Sequence, residues 1–589
     1  MRLRRSITTL VTLIGAITVF FVAVALVGYL ASSRGPSVPD SALLVLRPGG
    51  ELLEVQPDDV LDQVLGGKGS TVRTLVESLG KAKRDPRIAG VLLLPATLEL
   101  PFWAKVQELR AAIVDFRRSG KSVVAFLEYG GDREYYLASA ADRVFLLPTS
   151  PLDLAGVASY EVFLRGALDK LGAYPDFVHI GAYKTAVNQF TETEPTPEHR
   201  EMSESLNHDL FEQIVSDIAA ARNKSADDVR LLIDEGPFTP ETARAAGLID
   251  DLAYLDQIDE RSVAQDLFAG DLPRVEESEY RRVSPESVGI RPRSRIAVLY
   301  AAGVIASGES TYDTVNGAIV GSDTIVKQIQ RIRDDESIKA IVLRVDSPGG
   351  SSVASDVIWR ALTIAREQTP TRPLIASMSD LAASGGYYIS MPAEVIVAQP
   401  ATLTGSIGIF GGKVAIGEAL AKIGVGTATV QSGRNATISS PFTPFTPEQR
   451  DKIMDYMRVF YDGFINKAAE ARRQTPAQLE AVAQGRVWTG QQARDLGLVD
   501  LLGGLDTAIA VARDRAGIPE DEDVELVTYP SPRTLYEAIT ERLAGTAGSG
   551  AWTRLVGGSD ARVLAALTVS PRVFRRGEPL ALMPYAFVR

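Results

Sequence analysis

The fold of this chain is decided by two glycine-rich runs, Asp346-Ser347-Pro348-Gly349-Gly350 and Ala382-Ala383-Ser384-Gly385-Gly386-Tyr387-Tyr388. Residues 341–345, Ile-Val-Leu-Arg-Val, are rich in β-branched residues, which predicts a buried strand that the first run ends. Apolar residues then recur at helical spacing, so the Gly-Gly turn is predicted to lie where a strand passes into a helix: Val353, Val357, Ala361 and Ile364. Residues 374–378 predict a second strand, which leads to Ser384.

Ser384 is a candidate nucleophile beside an oxyanion hole. It opens a predicted helix among residues with almost no side chain, so another backbone, such as that of a peptide, can come close. The amide of Gly385 beside it, and that of Gly349 or Gly350 across from it, are candidate donors to the negative charge that grows on an attacked carbonyl. A packing turn is the alternative for an isolated Ser-Gly-Gly. The second glycine-rich run, followed by Thr404-Gly405-Ser406-Ile407-Gly408, favours the catalytic interpretation.

Composition excludes several other classes of chemistry. The chain has 589 residues, enough for two or more domains, and its net charge of −12 argues against a nucleic-acid-binding protein. It has no cysteine, so a disulfide, a thiol nucleophile and a Cys-ligated metal are excluded. Its three histidines form no metal-binding motif. We therefore expect neither a metal nor a cofactor.

The N-terminus predicts a membrane anchor. Residues 7–30 carry no charge and are long enough to cross a bilayer as a helix, and Arg2, Arg4 and Arg5 precede them. The positive-inside rule places the start in the cytoplasm and the rest of the chain outside, so residues 1–33 are interpreted as an uncleaved single-pass anchor. A cleaved signal peptide is the alternative, because Leu30-Ala31-Ser32-Ser33 resembles a cleavage site.

The remaining chain alternates strand-like and helical stretches, the pattern of an α/β protein. Its two halves repeat each other: residues 135–148 match residues 387–400, and residues 238–250 match residues 488–500. We therefore divide the chain after the anchor into four parts. They are a first repeat at 38–260, a charged connector at 261–293, a second repeat at 294–520 and a C-terminal tail at 521–589, to which no chemistry is assigned.

The repeats have lost complementary residues. In the alignment Ser384 falls on Asp132, so the first repeat has no nucleophile. Conversely, Lys184 falls on Ala436. One half keeps a serine and the other keeps a lysine, as expected if two degenerate repeats share one active site.

The chain resembles the signal peptide peptidase A (protease IV) family in its long, two-repeat form. The resemblance covers about residues 1–530 and is carried by residues 346–350, 378–388, 404–411 and 181–186. It implies two tandem ClpP/crotonase-like repeats and a membrane-anchored homotetramer on the extracytoplasmic side of the inner membrane, which degrades signal peptides left after cleavage. It also implies a nucleophile at Ser384, a general base at Lys184 and an oxyanion hole around Gly349, Gly350 and Gly385.

Lysine can act as a base only if its charge is disfavoured. A free lysine has a pKa of about 10.4 and is protonated at neutral pH. Burial lowers that value, and Lys184 has mainly apolar neighbours that can supply it: Ala182, Tyr183, Ala186, Val187 and Phe190. Neutral Lys184 is therefore expected to take the proton of Ser384.

Alternatives remain open at this point. His179 is a rival base, in a Ser-His-Asp arrangement with Asp346 or Asp380, and Lys413 is another. At the level of function, the alternatives are a crotonase-like enzyme acting on acyl-CoA, which would use the same paired amides without Ser384, and a non-catalytic membrane scaffold.

Overall fold

Each half of the chain is built around its own β-sheet in the computed structural model. The structure describes residues 36–55, 70–259, 267–268, 272–313, 317–531, 579–583 and 587–588. The anchor predicted at residues 1–33 lies outside these ranges. Among the residues that are described, no helix has both the length and the apolar character needed to cross a bilayer.

The first sheet belongs to the N-terminal half, and its paired strands all run parallel. Its strands are, in spatial order, Arg274–Glu276, Ala42–Leu46, Ile88–Leu93, Ser122–Leu127, Arg143–Leu146 and Asp251–Leu252. Leu44 packs into the core on one face and Leu43 into the core on the other. Because both faces are buried, the central strands Ala42–Leu46 and Ile88–Leu93 carry no polar side chains and show no alternation of apolar and polar residues.

The second sheet repeats this plan in the C-terminal half. Its main path is Val487–Thr489, Leu403–Gly405, Leu374–Ala383, Ile338–Ser347, Ser294–Ala302 and Val524–Tyr529, and Val395–Ala398 pairs with both Leu374–Ala383 and Leu501–Leu502. The strands predicted at 341–345 and 374–378 lie in its centre, where they pair in parallel. This pairing brings the two glycine-rich runs to the same edge of the sheet.

The third sheet is assembled from both halves and from the tail. Its strands are, in spatial order, Thr311–Asp313, Gly317–Gly321, Val304–Ala306, Gly349–Ser351, Leu580–Leu582, Ile409–Ala415 and Tyr174–Ile180. Two short pairs complete the described strands: Gly130–Gly131 with Leu152–Asp153, and Ser159–Tyr160 with Phe587–Val588. The third sheet is the element that joins the halves beside Ser384.

The two longest described helices, Pro197–Arg222 and Pro447–Arg472, have 26 residues each and begin in the same way. The side chain of Thr196 or Thr446 caps the first turn, and proline takes the position after the cap, where its missing N–H costs nothing. The other α-helices are Val72–Arg84, Ala104–Arg117, Asp132–Ala138, Arg165–Leu171, Asn188–Thr191, Ala226–Glu235, Pro240–Ala245, Glu277–Tyr280, Ser322–Asp334, Ser352–Gln368, Gly385–Ser390, Gly417–Lys422, Pro476–Val482, Gly490–Asp495 and Leu505–Arg515. Short 3₁₀ turns lie at Thr185–Val187, Leu255–Gln257 and Pro285–Val288.

The internal repeat is visible in buried hydrogen bonds. The hydroxyl of Tyr135 donates to the carbonyl of Leu248 at 2.8 Å, and that of Tyr387 donates to the carbonyl of Leu498 at 3.0 Å. Each tyrosine lies in the short helix after a Gly-rich turn, and each acceptor lies in the matching later segment. The sequence-predicted duplication is therefore a duplication of tertiary contacts.

Two expectations about segment boundaries need correction. The predicted connector at 261–293 contributes strand Arg274–Glu276 to the first sheet, where it covers the edge of Ala42–Leu46. The tail predicted to begin at residue 521 starts with strand Val524–Tyr529, which pairs with Ser294–Ala302 and so belongs to the second sheet. The local sequence does not predict either strand assignment, because an edge strand is defined by the neighbouring strand with which it pairs.

The helix predicted after the Gly-Gly turn is confirmed as Ser352–Gln368, but its buried face differs from the apolar stripe that indicated it. Val353 and Val357 are 42% and 44% exposed, whereas Ile358 and Leu362 are buried. The apolar stripe correctly indicated a helix, but the helix turns a neighbouring row of side chains to the core.

Candidate active site

Ser384 lies at the junction between strand Leu374–Ala383 and helix Gly385–Ser390. It adopts φ 55° and ψ −111°, a conformation that non-glycine residues rarely take. Its N–H donates to the carbonyl oxygen of Gly405 at 2.8 Å, which holds the junction in place. The side chain is fully buried, so its hydroxyl is fixed in direction and shielded from bulk water.

Lys184 reaches this serine from the other repeat of the same chain. Strand Tyr174–Ile180 of the first half pairs antiparallel with strand Ile409–Ala415 of the second, and Lys184 follows it after a short turn. Its Nζ lies 2.8 Å from the Oγ of Ser384. The structure therefore brings together within one chain the two residues that the repeats had kept separately.

The surroundings of Lys184 favour the neutral amine. Its side chain is fully buried, and burial lowers the pKa of Lys184 well below its ordinary value because the charged form loses its hydration. Nζ also donates hydrogen bonds to the carbonyl oxygen and to the Oγ of Ser406, both at 3.0 Å. A neutral amine has two N–H groups and one lone pair, so this geometry uses both donors on Ser406 and leaves the lone pair for the hydroxyl of Ser384.

Ser406 belongs to the motif Thr404-Gly405-Ser406-Ile407-Gly408, and its contact with Lys184 was not predicted from the sequence. The residue has φ 50°, and its N–H donates to the carbonyl oxygen of Arg486 at 2.7 Å. This contact turns both oxygen atoms of Ser406 toward Lys184. The sequence signal for a special role of Ser406 was its position after a strand that ends in glycine. The strand pairing that directs Ser406 toward Lys184 cannot be read from the sequence.

Gly485 packs against the backbone of Lys184. It has φ +77°, and a methyl group placed on it would lie 2.6 Å from the N, Cα and Cβ atoms of Lys184. The neighbouring carbonyl of Gln484 accepts a hydrogen bond of 2.8 Å from the N–H of Tyr183. The loop at 484–486 of the second repeat therefore fixes the backbone that carries the lysine.

The three predicted oxyanion-hole glycines lie at this edge. A methyl group on Gly349 would approach the amide nitrogen of Gly385 to 2.7 Å, so the two residues are in close contact. The N–H of Gly349 donates to the Oγ of Ser347 at 3.1 Å. Gly350 continues strand Gly349–Ser351, where it pairs with Ile305. All three are buried, as donors to a reacting carbonyl must be.

A buried ionic cluster holds the first glycine-rich run. Lys105 Nζ lies 2.7 Å from a carboxylate oxygen of Asp346 and 3.4 Å from one of Asp380. Asp346 also accepts a hydrogen bond of 3.1 Å from the N–H of Leu381. Both carboxylates thus pair with a lysine of the first repeat, in place of the histidine of a Ser-His-Asp arrangement.

The structure places both rival bases away from Ser384. His179 is exposed, and its Nδ1 lies 3.0 Å from the carbonyl oxygen of Gly181. Lys413 Nζ donates to the carbonyl oxygen of Ile438 at 3.0 Å and lies 4.4 Å from the ring centroid of Phe445. Neither residue therefore takes the position that Lys184 occupies.

A buried serine at a strand–helix junction, with a buried lysine at its hydroxyl and amides alongside, defines a candidate serine hydrolase. The model of peptidase family S49 matches the chain twice, at residues 115–266 and 366–519, once in each repeat. The chain belongs to peptidase family S49 and is a serine peptidase. This assignment leaves no support for the acyl-CoA enzyme or the non-catalytic scaffold.

Relatives match most of the chain. The chloroplastic serine protease SPPA of Arabidopsis thaliana is 34% identical over 86% of this chain and 74% of its own length. Protease 4 of Salmonella typhi is 34% identical over 80% of this chain and 76% of its own length. The solved structure of a ClpP1 point mutant from Listeria monocytogenes aligns with 36% of this chain and 93% of its own, at 16% identity and a TM-score of 0.23, too low to bear on the fold assignment.

Proposed function

We propose that this serine peptidase is an endopeptidase in which Ser384 is the nucleophile and Lys184 the general base. The observation that carries the proposal is the 2.8 Å approach of Lys184 Nζ to Ser384 Oγ in a fully buried setting. An exposed lysine would be protonated at neutral pH and unable to accept a proton. Burial removes that obstacle, because it lowers the pKa of Lys184.

In the proposed reaction, Ser384 Oγ attacks the carbonyl carbon of the scissile bond while its proton passes to Lys184 Nζ. The tetrahedral intermediate then collapses, the C–N bond breaks, and the lysine returns the proton to the leaving amine. Lys184 next takes a proton from the water that attacks the acyl-enzyme. The ester bond between the acyl carbon and Ser384 Oγ then breaks, the lysine returns the proton to Oγ, and the acid product leaves. Ser406 keeps Nζ aimed at Oγ during both half-reactions.

In this proposal, the amides of Gly385 and of Gly349 or Gly350 donate hydrogen bonds to the attacked oxygen as its negative charge develops. Gly349 would exchange its hydroxyl acceptor on Ser347 for the developing oxyanion, a stronger acceptor. Donors fixed in a buried site need little reorganisation when the charge forms.

The proposed substrates are apolar peptides, including signal peptides left after cleavage, on the extracytoplasmic side of the inner membrane. The uncharged sequence at 7–30 after three arginines supports the anchor, and the family resemblance supports the two-repeat ClpP/crotonase-like fold and the homotetramer. Alkaline extraction of membranes, compared between the full chain and a chain beginning at Pro36, tests the anchor. Sedimentation of the shorter chain tests the assembly.

The dyad is tested by hydrolysis of a fluorogenic apolar peptide by wild type, Ser384→Ala and Lys184→Ala. We expect both variants to lose at least about 10³-fold in kcat, the scale on which a nucleophile and its base act together. Lys413→Ala is the matched control, since it removes the lysine that was the rival base and should keep wild-type rates. Activity that survives Lys184→Ala would refute the base assignment.

A further inference from the structure

Two carboxylates with little exposure to solvent, Asp346 and Asp380, flank the glycine-rich runs and take no part in the proposed reaction. Asp346 opens the first run, and Asp380 lies four residues before Ser384. Both belong to central strands of the second sheet, and both pair with Lys105 of the first repeat. A cation from the other repeat therefore lies where these two strands lead into the active site.

The pairing between the two strands is interrupted at this point. It is regular through Val345 and resumes at Ser347, which lies opposite Ala382. Three residues of one strand, 379–381, therefore lie opposite Asp346 alone and form a bulge. Because a bulge bends the strand that contains it, its shape decides how the nucleophile and the first glycine-rich run face each other.

Each residue of the bulge has a polar contact that holds it in place, and two of these contacts are with the first repeat. The hydroxyl of Ser379 donates to Glu54, the carboxylate of Asp380 accepts from the N–H of Lys105 at 3.0 Å, and the N–H of Leu381 donates to the carboxylate of Asp346 at 3.1 Å. The first repeat therefore helps to shape a strand that belongs to the second.

The ammonium group of Lys105 joins the two strands, because its Nζ lies 2.7 Å from Asp346 and 3.4 Å from Asp380. Burial by itself would lower the pKa of Lys105, but these carboxylates raise it above its ordinary value, so the lysine is charged at neutral pH. Lys184 shows the opposite behaviour, since burial lowers its pKa. Two buried lysines of the first repeat thus reach the site in opposite charge states.

The bulge is coupled to the amides proposed to form the oxyanion hole. Ser347 follows Asp346, and its Oγ accepts a hydrogen bond of 3.1 Å from the N–H of Gly349. A methyl group on Gly386 would lie 2.7 Å from the carbonyl oxygen of Ser347. A displacement of Asp346 therefore moves a residue that contacts both glycine-rich runs.

We propose that Lys105 is a positioning residue of the active site, whose ammonium group holds Asp346 and Asp380 together and thereby sets the distance between the two glycine-rich runs. The inference rests on the proposed function of the site and adds a second, charged lysine from the first repeat. In this role Lys105 acts through Asp346 on the oxyanion hole, without contact to the reacting atoms, and leaves the base unchanged.

Lys105→Met tests this role, and Arg110→Met is the matched control. Both residues lie on helix Ala104–Arg117, and both side chains are buried and ion-paired. The hydrogen bonds of the Arg110 side chain go to residues of the first repeat: Tyr136, Ser139 and Asp217. Both substitutions should therefore lower the melting temperature, but only Lys105→Met should slow the reaction.

The readout is kcat and KM for a fluorogenic apolar peptide. We expect Lys105→Met to lose about 10²-fold in kcat, the effect of a misplacement of about 1 Å at a reacting group. KM should stay within about threefold, because the oxyanion forms only on the way to the transition state. Equal kcat in folded Lys105→Met and Arg110→Met, or a change confined to KM, would overturn the proposal.

Asp346→Asn is a second test, which decides the question if Lys105→Met does not fold. Asparagine has one acceptor oxygen where aspartate has two, so it can accept from Leu381 or from Lys105 but not from both. Lys105 keeps Asp380 as its partner, so no charge is left unpaired. We expect kcat to fall about tenfold or more with KM unchanged, and wild-type kcat would overturn the proposal.

The double variant shows whether Lys105 acts through Asp346. If both belong to one chain of contacts, Lys105→Met combined with Asp346→Asn should lose no more than about threefold in kcat beyond Lys105→Met alone. Losses that multiply would show that the lysine acts by another route and would refute this role.

The inference and the proposed function fail in different ways. Activity that survives Lys184→Ala removes the dyad, independently of the result for Lys105. Conversely, wild-type kcat in Lys105→Met, with Lys184→Ala inactive, removes the positioning role and leaves the dyad intact.

Discussion

Replacing Gly485 by alanine should disable the enzyme by displacing the backbone of Lys184, its proposed base. The added methyl group would lie 2.6 Å from three atoms of Lys184, whereas ordinary contacts of this kind begin at 3.4 Å. The three atoms belong to the backbone and Cβ of one residue, so no side-chain rotation relieves the clash. The segment that carries Lys184 must therefore move away.

The size of the effect follows from that distance. Relief of the contact requires a displacement of roughly 1 Å, and a misplacement of that size at a reacting group costs about 10²-fold in rate. This corresponds to about 2.7 kcal/mol of transition-state stabilisation. Alanine at φ +77° adds about 1–2 kcal/mol of backbone strain, which affects folding and not the chemical step.

The control that isolates the displacement is Gly120→Ala. Gly120 has φ +84°, and a methyl group placed there would have no atom within 4 Å. Both variants carry the same kind of backbone strain, but only one pushes on the lysine. The assay is kcat/KM on a fluorogenic apolar peptide, with thermal melting to show that both variants are folded and the rate of fluorophosphonate labelling to report on Ser384 directly.

We expect Gly485→Ala to lose about 10²-fold in both kcat/KM and labelling rate relative to Gly120→Ala. If both rates stay within about threefold of the control in folded protein, a difference far below that expected for a 1 Å displacement, the contact at residue 485 does not position the base, and the reasoning fails.

Two further predictions concern the lysine and the serine that orients it. Ser406→Ala removes one of the two acceptors of Nζ but leaves the carbonyl, so kcat should fall about 10- to 100-fold, a loss of roughly 1.5–3 kcal/mol for a hydrogen bond in the site. Ser406→Thr, which keeps the hydroxyl, should recover part of the rate, and an equal loss in both variants would mean that Oγ plays no part. Lys184→Met should abolish activity but raise the melting temperature at pH 7. Because burial lowers the folded-state pKa of Lys184, the unfolded chain binds the extra proton between that pKa and about 10.4, so the lysine costs about 1.4 kcal/mol of stability for each pH unit in that window. The advantage of methionine should therefore shrink as the pH rises from 7 toward 10, and a constant difference in melting temperature would show that Lys184 is not buried as a neutral amine.

Much of the candidate site could be predicted because its local chemistry is unusual. Glycine pairs after β-branched runs predict a turn between a strand and a helix, and the junction at Ser384 appears as predicted. Gly349 and Gly350, predicted as a turn, instead lie in the short strand Gly349–Ser351, which pairs with strands of the third sheet before the helix begins. The internal repeat added a comparison within one chain, which made the lysine at 184 and the serine at 384 stand out as complementary. The helix after residue 351 was correct in position, but its buried face was not, since that face depends on what packs against it.

Other parts of the site had no local signal. The proposal of Lys184 as the base, in preference to His179 or Lys413, rests on burial and on the direction of neighbouring strands. Gly485 and Ser406 act on a lysine that belongs to the other repeat, through contacts that no spacing in the sequence encodes.

The sequence by itself determined the two α/β repeats, the absence of thiol chemistry and the residue types at the candidate active site, since these depend on side-chain chemistry and short-range patterns. The tertiary structure alone decided that one lysine loses its hydration, and that the last strand of the third sheet lies across the glycines beside Ser384. Both outcomes depend on which distant segments meet, because desolvation and strand pairing are properties of neighbours in space and not of neighbours in sequence.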